Sequence, residues 1–392
     1  MTPRSSLPAS LEKLAPPSAT ALAHSALLRE VIAREITAAE GWISFARFME
    51  LALHAPGLGY YSAGSVKFGG GGDFVTAPGM GSLFGRTLAR EVARILQSGI
   101  TDIVELGAGN GRLACDLLAA LNTLDRLPRR YLILETSADL RERQRELLRR
   151  EVPQFADCVS WLDALPAPLT ALVLANEVLD AMPVHVIETG SGAIGERGVT
   201  LAGDAFQWRT RPAEGSVLAA AKSLDLPAGY VTEINLAARA FIATLAANLA
   251  HGVALFIDYG FPAREYYHPQ RSSGTLMCHY RQHAHDDPLT LVGLQDITAH
   301  VDFTALATAA QISGLQLLGY ANQAQFLINC GITDVLAGTP AENPAAYLPQ
   351  AAEAQKLLSP AEMGELFKVI AFGKNYTAPL AGYASGNKQA LL

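Results

Sequence analysis

The chain has 392 residues, half of them hydrophobic, and its 37 acidic against 30 basic side chains give a net charge of −7. This length suffices for one large domain with additions or for two to three domains. The mild acidity argues against a general nucleic-acid binder, which would need a basic face. No apolar run reaches the roughly 18 residues that span a membrane. The four cysteines form no CxxC pair, which favours reduced thiols in an intracellular compartment.

The N-terminal part of the chain is predicted to be mainly helical. Residues 1–22 have a weak pattern and no apolar core of a secretory signal, so we expect a cytoplasmic protein. Their many Ser and Ala residues leave the mitochondrial matrix as the alternative. Residues 22–55 have apolar positions at helical spacing and predict two helices. A glycine-rich loop follows, with glycines at 69–72 that no regular element favours, and then a helix at about 83–96.

From residue 101 onward, short apolar segments alternate with amphipathic helices. Such alternation predicts a parallel sheet that helices cover on both faces. The predicted strands are 102–106, 131–135, 159–162, 171–175 and 253–257, with closing strands at 316–320 and 367–372. Alternating segments within 184–211 predict β-hairpins inserted after the fourth strand. The predicted fold class is α/β, a Rossmann-like, mostly parallel seven-stranded sheet with a helical N-terminal part.

A glycine turn follows the first of these strands, in the segment VELGAGNGRLA at 104–114. Gly107, Gly109 and Gly111 would let a ligand lie against the backbone where a helix begins and its N–H groups are free. Dinucleotide sites have the spacing GxGxxG. The GxGxG spacing found here, with Glu105 two residues earlier, is typical of Rossmann-like methyltransferases that use S-adenosylmethionine (SAM), whose cationic groups suit an acid.

Two further acids fit the same cofactor. Glu135 ends the second strand, where it can hydrogen-bond both ribose hydroxyls, and Asp163 follows the third strand, where it could face the adenine edge. An oxidoreductase that uses a nicotinamide dinucleotide is a weaker alternative, because the glycine spacing disagrees with it. The cofactor-binding residues predicted from these strands and the turn are Glu105, Gly107, Ala108, Gly109, Gly111, Glu135, Asp163 and Asn176.

The predicted catalytic residues are Asn176, Glu177 and Asp180, in the segment NEVLD that follows the fourth strand. In this fold that position faces the transferred methyl group, and an amide-nitrogen or adenine methyltransferase would have Asn-Pro-Pro-Tyr there. Carboxylates suit a cationic acceptor such as a guanidinium, which they bind through paired hydrogen bonds. Holding the nucleophile in line with the sulfonium contributes much of the rate of methyl transfer. The structural alternative is that Asp180 caps the next helix and Glu177 is solvated.

Three histidines lie in the segment CHYRQHAHDD at 278–287, namely His279, His283 and His285. Histidine-rich tracts can bind metals. The spacing here matches no zinc signature and no second group of ligands stands out. We therefore expect no metal site and an exposed polar loop over the pocket.

Together these segments resemble the MidA-like methyltransferase family of bacteria and mitochondria, over residues 30 to 375. The resemblance rests on GYYSAGSVKFGGGGDFVTAP (59–78), VELGAGNGRL (104–113), ETSADLRERQ (135–144), NEVLDAMPV (176–184), FIDYGFP (256–262), DDPLTLVGLQDITAHVDFTAL (286–306), QAQFLINCGI (323–332) and GELFKVIAFGK (364–374). It implies a SAM-dependent enzyme that methylates a protein, with arginine as the acceptor and a core subunit of respiratory complex I as substrate or client.

The resemblance also implies that a loop with Asp73, Phe74 and Thr76 folds over SAM, which adds Asp73 and Thr76 to the predicted cofactor-binding residues. Gly79 stands where the family commonly has an acid, so a catalytic role of that acid does not carry over. Ala108 stands where the family often has proline. The alternatives are a non-catalytic assembly chaperone that retains the SAM-binding fold, and a small-molecule methyltransferase. For the oligomeric state, a homodimer is the option that we carry forward.

The predicted domain organisation follows from the pattern and the resemblance together. It consists of a flexible N-terminus at 1–22, a helical region at 23–98 with the glycine-rich loop over the cofactor site, a SAM-binding methyltransferase domain at 99–375, and a flexible C-terminus at 376–392. The methyltransferase domain carries insertions at about 184–235 and 262–300. We expect no nucleic-acid partner and no membrane insertion.

Overall fold

A computed structural model describes residues 14–63 and 76–392 of the chain. The helices are α1 (Ala19–Ala38), α2 (Phe45–His54), α3 (Ala77–Met80), α4 (Leu83–Gln97), α5 (Arg112–Thr123), α6 (Ala138–Glu151), α7 (Gly215–Lys222), α8 (Leu236–Asn248), α9 (Ala263–Tyr266), α10 (Phe303–Ile312), α11 (Gln323–Asn329), α12 (Ile332–Ala337), α13 (Pro344–Leu358) and α14 (Met363–Leu366). No helix among the described residues has the length and apolar composition that a membrane crossing needs.

The strands follow the same numbering in chain order. They are β1 (Ile43–Ser44), β2 (Asp102–Leu106), β3 (Arg130–Leu134), β4 (Val159–Leu162), β5 (Leu169–Asn176), β6 (His185–Thr189), β7 (Ile194–Ala202), β8 (Ala205–Pro212), β9 (Val231–Ile234), β10 (Leu249–Phe261), β11 (Met277–Tyr280), β12 (His283–His285), β13 (Asp296–Thr298), β14 (Val301–Asp302), β15 (Gln316–Asn322) and β16 (Phe367–Lys374).

The chain forms two compact units. Of the described residues, those before 64 and those within 180–238 and 264–300 belong to unit 1, and those within 76–179, 239–263 and 301–392 belong to unit 2. Most of each insertion expected at about 184–235 and 262–300 falls within unit 1. The boundary expected between residues 98 and 99 differs from the structure, because α4 belongs to unit 2.

Unit 2 contains the predicted α/β sheet. Its strands have the order β15-β16-β10-β5-β2-β3-β4, and the short β14 pairs with the end of β10. Strands β10, β5, β2, β3 and β4 are parallel, whereas β16 is antiparallel to both β10 and β15. The prediction of a mostly parallel seven-stranded sheet is confirmed, with β14 as a two-residue addition.

The middle of this sheet is buried on both faces, as its apolar sequence predicts. All five residues of β2 are buried, and Leu172, Val173 and Leu174 of β5 are at most 2% exposed. Burying one such side chain contributes about 1.5–3 kcal/mol to the free energy of unfolding. A sheet covered in this way is rigid, so the edges of its strands can position side chains accurately.

The register of the sheet brings the carboxyl ends of β2, β3 and β5 to one level, beside Ile257 within β10. Leu106 of β2 pairs with Leu134 of β3 on one side and with Ala175 of β5 on the other. Asn176 at the end of β5 pairs with Ile257 of β10. Because ligands of open parallel sheets bind beyond the carboxyl ends of the strands, the residues that follow these positions form the place to look for a site.

Unit 1 contains two antiparallel sheets. The larger has the order β1-β7-β6-β9, with β8 paired to β7, and the smaller has the order β12-β11-β13. Antiparallel hairpins are what the alternating sequence at 184–211 predicts. Helix α2 packs its aromatic face against β8, since the rings of Phe45 and Trp208 have centroids 4.9 Å apart and those of Phe48 and Phe206 lie 5.6 Å apart.

The C-terminal segment 376–392 was expected to be flexible, and the structure differs. Leu380 and Tyr383 are each 7% exposed, and the amide of Asn329 donates to the carbonyl of Gly382 at 2.8 Å. The ring of Tyr383 packs directly on Gly319, which has no side chain. A Cβ added to Gly319 would lie 2.3 Å from that ring. Glycine here makes room for a buried tyrosine.

Candidate active site

The glycine turn joins β2 to α5 in unit 2. Gly107, Gly109 and Gly111 have φ angles of +59°, +54° and +86°, in the left-handed region that favours glycine. Helix α5 begins at Arg112, directly after the third glycine. The turn therefore places the start of a helix, with N–H groups that suit a ligand, at the carboxyl edge of the sheet. Ala108, between the first two glycines, is 8% exposed.

Glu105 precedes the turn and is buried in β2. The hydroxyl of Tyr131 donates to its Oε2 at 2.7 Å. Burial raises the pKa of Glu105 to about 7, although the Tyr131 hydrogen bond lowers it, and the nearby Glu135 raises it further. A cation beside this carboxyl would favour its ionised form, which fits the role predicted for Glu105 toward SAM.

Glu135 follows β3 and is 7% exposed. Its Oε1 accepts a hydrogen bond from the backbone N–H of Ser137 at 2.9 Å, and its Oε2 accepts one from Nε2 of Gln144 at 3.3 Å. Burial raises the pKa of this carboxyl, while these hydrogen bonds lower it. The carboxylate is thus oriented by its own surroundings, with lone pairs left for a ligand.

Asp163 has a different environment from the other predicted acids. Its side chain is 91% exposed and forms an ion pair with Arg141, whose guanidinium lies 2.7 Å from Oδ1. The same arginine donates to the carbonyl oxygens of Glu135 and Leu162. Arg141 therefore connects the exposed carboxylate of Asp163 to the end of β3. The role of Asp163 toward adenine remains a prediction.

The turn after β5 holds the first two predicted catalytic residues. Nδ2 of Asn176 donates to Oε1 of Glu177 at 3.0 Å. Oδ1 of Asn176 is buried and has no hydrogen-bond partner among the described residues. A buried acceptor of this kind fits a ligand that donates a hydrogen bond. Glu177 has φ +54°, a strained angle for a residue other than glycine.

Asp258 fixes this turn, a role that the sequence did not reveal. Its Oδ2 accepts hydrogen bonds from the backbone N–H groups of Val178 at 3.1 Å and Leu179 at 2.9 Å. The N–H of Glu177 donates to the carbonyl of Ile257 at 2.9 Å. Three successive N–H groups are thus bound to two consecutive residues of β10, Ile257 and Asp258. The only signal in the sequence was an acid at the end of the strand in FIDYG.

The turn also contacts the first glycine of the cofactor turn. A Cβ added to Gly107 would lie 3.1 Å from Cγ2 of Val178, which is closer than most such contacts. Gly107 is therefore needed both for its left-handed φ and for this approach. The turn after β5 and the glycine turn are in this way in contact within unit 2.

Asp180 belongs to unit 1 and is 6% exposed. Strand β6 follows it at His185, so the alternative that Asp180 caps the next helix is wrong. Its backbone carbonyl accepts a hydrogen bond from the N–H of Ala299 at 3.0 Å. Burial, Asp296 and Asp180 all raise the pKa of Tyr61, whose hydroxyl donates to Asp296 at 2.7 Å. The charge of Asp180 therefore acts on Tyr61, a partly buried tyrosine of the same unit.

Two predictions concern the loop before α3. Asp73 and Phe74 lie outside the described residues. Thr76 is the N-cap position of α3, and its carbonyl accepts a hydrogen bond from the N–H of Gly79 at 2.9 Å. Among the described residues, a Cβ added to Gly79 would meet Oγ1 of Thr76 alone, at 3.4 Å, so their packing does not require glycine at this departure from the family.

The histidine tract forms a hairpin and not the loop that we expected. Strands β11 and β12 pair His279 with Ala284 and Tyr280 with His283. Arg281 and Gln282 form the two-residue turn, with φ angles of +48° and +65°, as a hairpin of this type requires. In the part of the chain that the structure describes, no group of three or more His, Cys, Asp or Glu side chains is arranged to hold a metal ion.

Similar proteins were found at the level of family, sequence and structure. Residues 83–321 match a family described as "Putative S-adenosyl-L-methionine-dependent methyltransferase". The chain is 30% identical over 366 residues to a mouse protein (Mus musculus) named protein arginine methyltransferase NDUFAF7, mitochondrial, covering 84% of this chain and 81% of that one. It is 29% identical to the zebrafish (Danio rerio) protein of the same name, covering 84% and 83%.

A solved structure supports the same assignment. A chain from Burkholderia thailandensis, crystallised with S-adenosyl-homocysteine, is 49% identical to this one and superimposes with a TM-score of 0.94, covering 97% of this chain and 100% of that chain. The predicted Rossmann-like methyltransferase fold and the predicted cofactor are thereby confirmed. The chain belongs to this family of S-adenosyl-L-methionine-dependent methyltransferases.

Proposed function

We propose that this SAM-dependent methyltransferase transfers the methyl group to an arginine side chain of a protein. The observation that carries the proposal is the turn after β5. In this chain the turn contains carboxylates, whereas an amide-nitrogen or adenine methyltransferase would have the segment Asn-Pro-Pro-Tyr there. The proposal is supported by the names of the mouse and zebrafish relatives, which are protein arginine methyltransferases.

Asn176, Glu177 and Asp180 have distinct roles in this proposal. Glu177 binds the acceptor guanidinium by paired hydrogen bonds and takes the proton that the attacking nitrogen loses. Asn176 receives an N–H donor of a ligand at its buried Oδ1, and Asp180 supplies a second carboxylate for the cationic acceptor.

The cofactor supplies an electrophilic methyl group when it is bound. Glu135 holds the ribose, Glu105 balances the positive charge, and the glycine turn with Gly107, Gly109 and Gly111 lies against the ligand. Ala108, Thr76, Asp73 and Asp163 complete the proposed set. The residues present fit SAM, because the buried acids Glu105 and Glu135 stand at the carboxyl ends of adjacent strands.

The proposal extends to the identity of the acceptor protein and to the compartment in which it is methylated. The resemblance of eight segments to the MidA-like family supports a core subunit of respiratory complex I as substrate or client. The mammalian and fish relatives are named mitochondrial, whereas the more similar Burkholderia chain comes from a bacterium. We therefore keep the cytoplasm as the predicted location of this protein, with the mitochondrial matrix as the alternative. A homodimer also stays a prediction.

Transfer of isotope-labelled methyl from SAM to a recombinant complex I core subunit tests the proposal. We expect labelled arginine in the wild-type reaction, located by mass spectrometry, and a loss of at least about 100-fold in rate for the double variant E177Q/D180N. A double variant as active as the wild type would contradict the proposed catalytic roles. Client binding without any methylation would favour the assembly chaperone, and methylation of small amines alone would favour a small-molecule methyltransferase.

A further inference from the structure

Gln144 is a completely buried polar residue to which the proposed function gives no role. It lies on α6 and is 0% exposed, although glutamine is mostly exposed in proteins. A buried amide must be hydrogen-bonded, or its desolvation destabilises the fold. Its partners therefore show what it does.

Three hydrogen bonds connect its amide to three separate segments of unit 2. Nε2 donates to the carbonyl oxygen of Gly109 at 2.9 Å and to Oε2 of Glu135 at 3.3 Å. Oε1 accepts a hydrogen bond from Nε1 of Trp161 at 2.7 Å. The indole can only donate, whereas the carbonyl and the ionised carboxylate can only accept. All three partners thus require the same orientation of the amide.

The third glycine of the turn packs on the same side chain. A Cβ added to Gly111 would lie 3.3 Å from Cγ of Gln144 and 3.4 Å from its Cα. The glycine turn is therefore held against α6 by a hydrogen bond at Gly109 and by contact at Gly111. Gln144 is the residue of α6 at which both occur.

These contacts connect the two parts of the cofactor site. The carboxylate of Glu135 has Ser137 on one oxygen and Gln144 on the other, and a carboxylate has about four lone-pair sites. The remaining sites can face a pair of hydroxyls only while the carboxylate keeps its plane. Gln144 sets that plane relative to Gly109.

We propose that Gln144 is a positioning residue for the cofactor, which fixes the Glu135 carboxylate against the glycine turn so that both contact SAM together. The inference rests on SAM binding and on the ribose role proposed for Glu135. It concerns affinity for the cofactor, so its test requires no knowledge of the methyl acceptor.

Isothermal titration of SAM and S-adenosyl-homocysteine into the purified full-length protein is the test. Q144M keeps the length of the side chain but removes its three hydrogen bonds, so we expect Kd to rise about tenfold to one hundredfold. Q323M is the matched control, because Gln323 is also 0% exposed and its Nε2 donates to the carbonyl of Leu357. Q323M should lower the melting temperature and leave Kd unchanged.

A double-mutant cycle separates positioning from simple loss of stability. If Gln144 acts through Glu135, then Q144M should cost much less affinity in an E135Q background than in the wild type. An unchanged Kd in Q144M, or effects of Q144M and E135Q that simply add, would overturn the proposal. A wild-type protein that binds neither ligand would instead refute the cofactor site itself.

Trp161 provides a second variant should Q144M fail to fold. W161F removes the donor to Oε1 of Gln144 and keeps an aromatic ring for the guanidinium of Arg145, which lies 4.6 Å from the ring centroid of Trp161. We expect Kd to rise several-fold, by about the value of one hydrogen bond. The chain has three tryptophans, and Trp161 alone belongs to this network. SAM should change the tryptophan fluorescence of the wild type and of Q323M, but not that of W161F. An affinity in W161F equal to that of the wild type would overturn the proposal.

Discussion

At the residue scale, the site is made of buried carboxyls that are each held by a specific donor. Glu105 accepts a hydrogen bond from Tyr131 and Glu135 accepts one from Gln144. Asp258 accepts hydrogen bonds from the backbone of the turn after β5. Buried acids cost free energy unless they are hydrogen-bonded. We therefore interpret their presence at one edge of the sheet as a mark of the candidate site.

The ionisation of Glu105 makes cofactor affinity depend on pH. Its pKa is raised to about 7 by burial, and a bound cation stabilises the ionised form. Below that pH the carboxyl is protonated and must lose its proton on binding, so affinity for SAM should rise as the pH increases through about 7. Titrations in buffers with different heats of ionisation would measure the released proton.

The variant Y131F checks the cause of this pH dependence. It removes the hydrogen bond that lowers the pKa of Glu105, so the midpoint of the affinity profile should move to higher pH. An affinity that stays constant between about pH 6 and about pH 8 in the wild type would contradict this account.

Asp258 should matter for catalysis more than for cofactor binding. Both carboxylate oxygens of Asp258 accept from backbone N–H groups, Oδ2 from Val178 and Leu179 and Oδ1 from Tyr259. In D258N only one oxygen remains, so at least one of these N–H groups meets an amide NH2 and the turn should shift. We expect the rate of methyl transfer to fall about 100-fold, while Kd for SAM changes less than about threefold. D334N is the control, since the side chain of Asp334 is 68% exposed and pairs with Arg90. Equal rates in D258N and D334N would refute the positioning role of Asp258.

At the element scale, the strands were predicted well because their pattern is local. Strand β2 spans the predicted 102–106, whereas β10 extends from 249 to 261 beyond the predicted 253–257. The acids at the strand ends could also be predicted. Their donors Tyr131 and Gln144 could not, because these contacts depend on the register of β2 with β3 and on how α6 packs.

The packing of the C-terminal segment 376–392 could not be predicted from its sequence either. Its small and polar residues have no amphipathic pattern, yet Tyr383 is buried where Gly319 leaves room for its ring. Y383A should therefore lower the free energy of unfolding by about 3 kcal/mol. L391A, at a side chain that is 55% exposed, should change it by less than about 0.5 kcal/mol. Denaturation with urea measures both, and equal stabilities would show that the segment contributes nothing.

At the scale of the whole molecule, the chain passes between the two units several times. Hairpin alternation predicts the insertions that belong to unit 1. The start of unit 2 before α4 could not be predicted, because an amphipathic helix has the same pattern in either unit. Glu177 and Asp180 are only three residues apart, yet they belong to different units. No pattern in the sequence predicts a unit boundary between them.

The central claim is that the glycine turn between β2 and α5 binds SAM. Isothermal titration of SAM into the wild type and into G109R tests it most directly, with G203R as the control. Gly203 has φ +60° in the turn between β7 and β8, and a Cβ there meets no described residue within 4 Å. We predict micromolar binding by the wild type and G203R and none by G109R. Binding by G109R as tight as that of the wild type, or no binding by any of the three, would contradict the account.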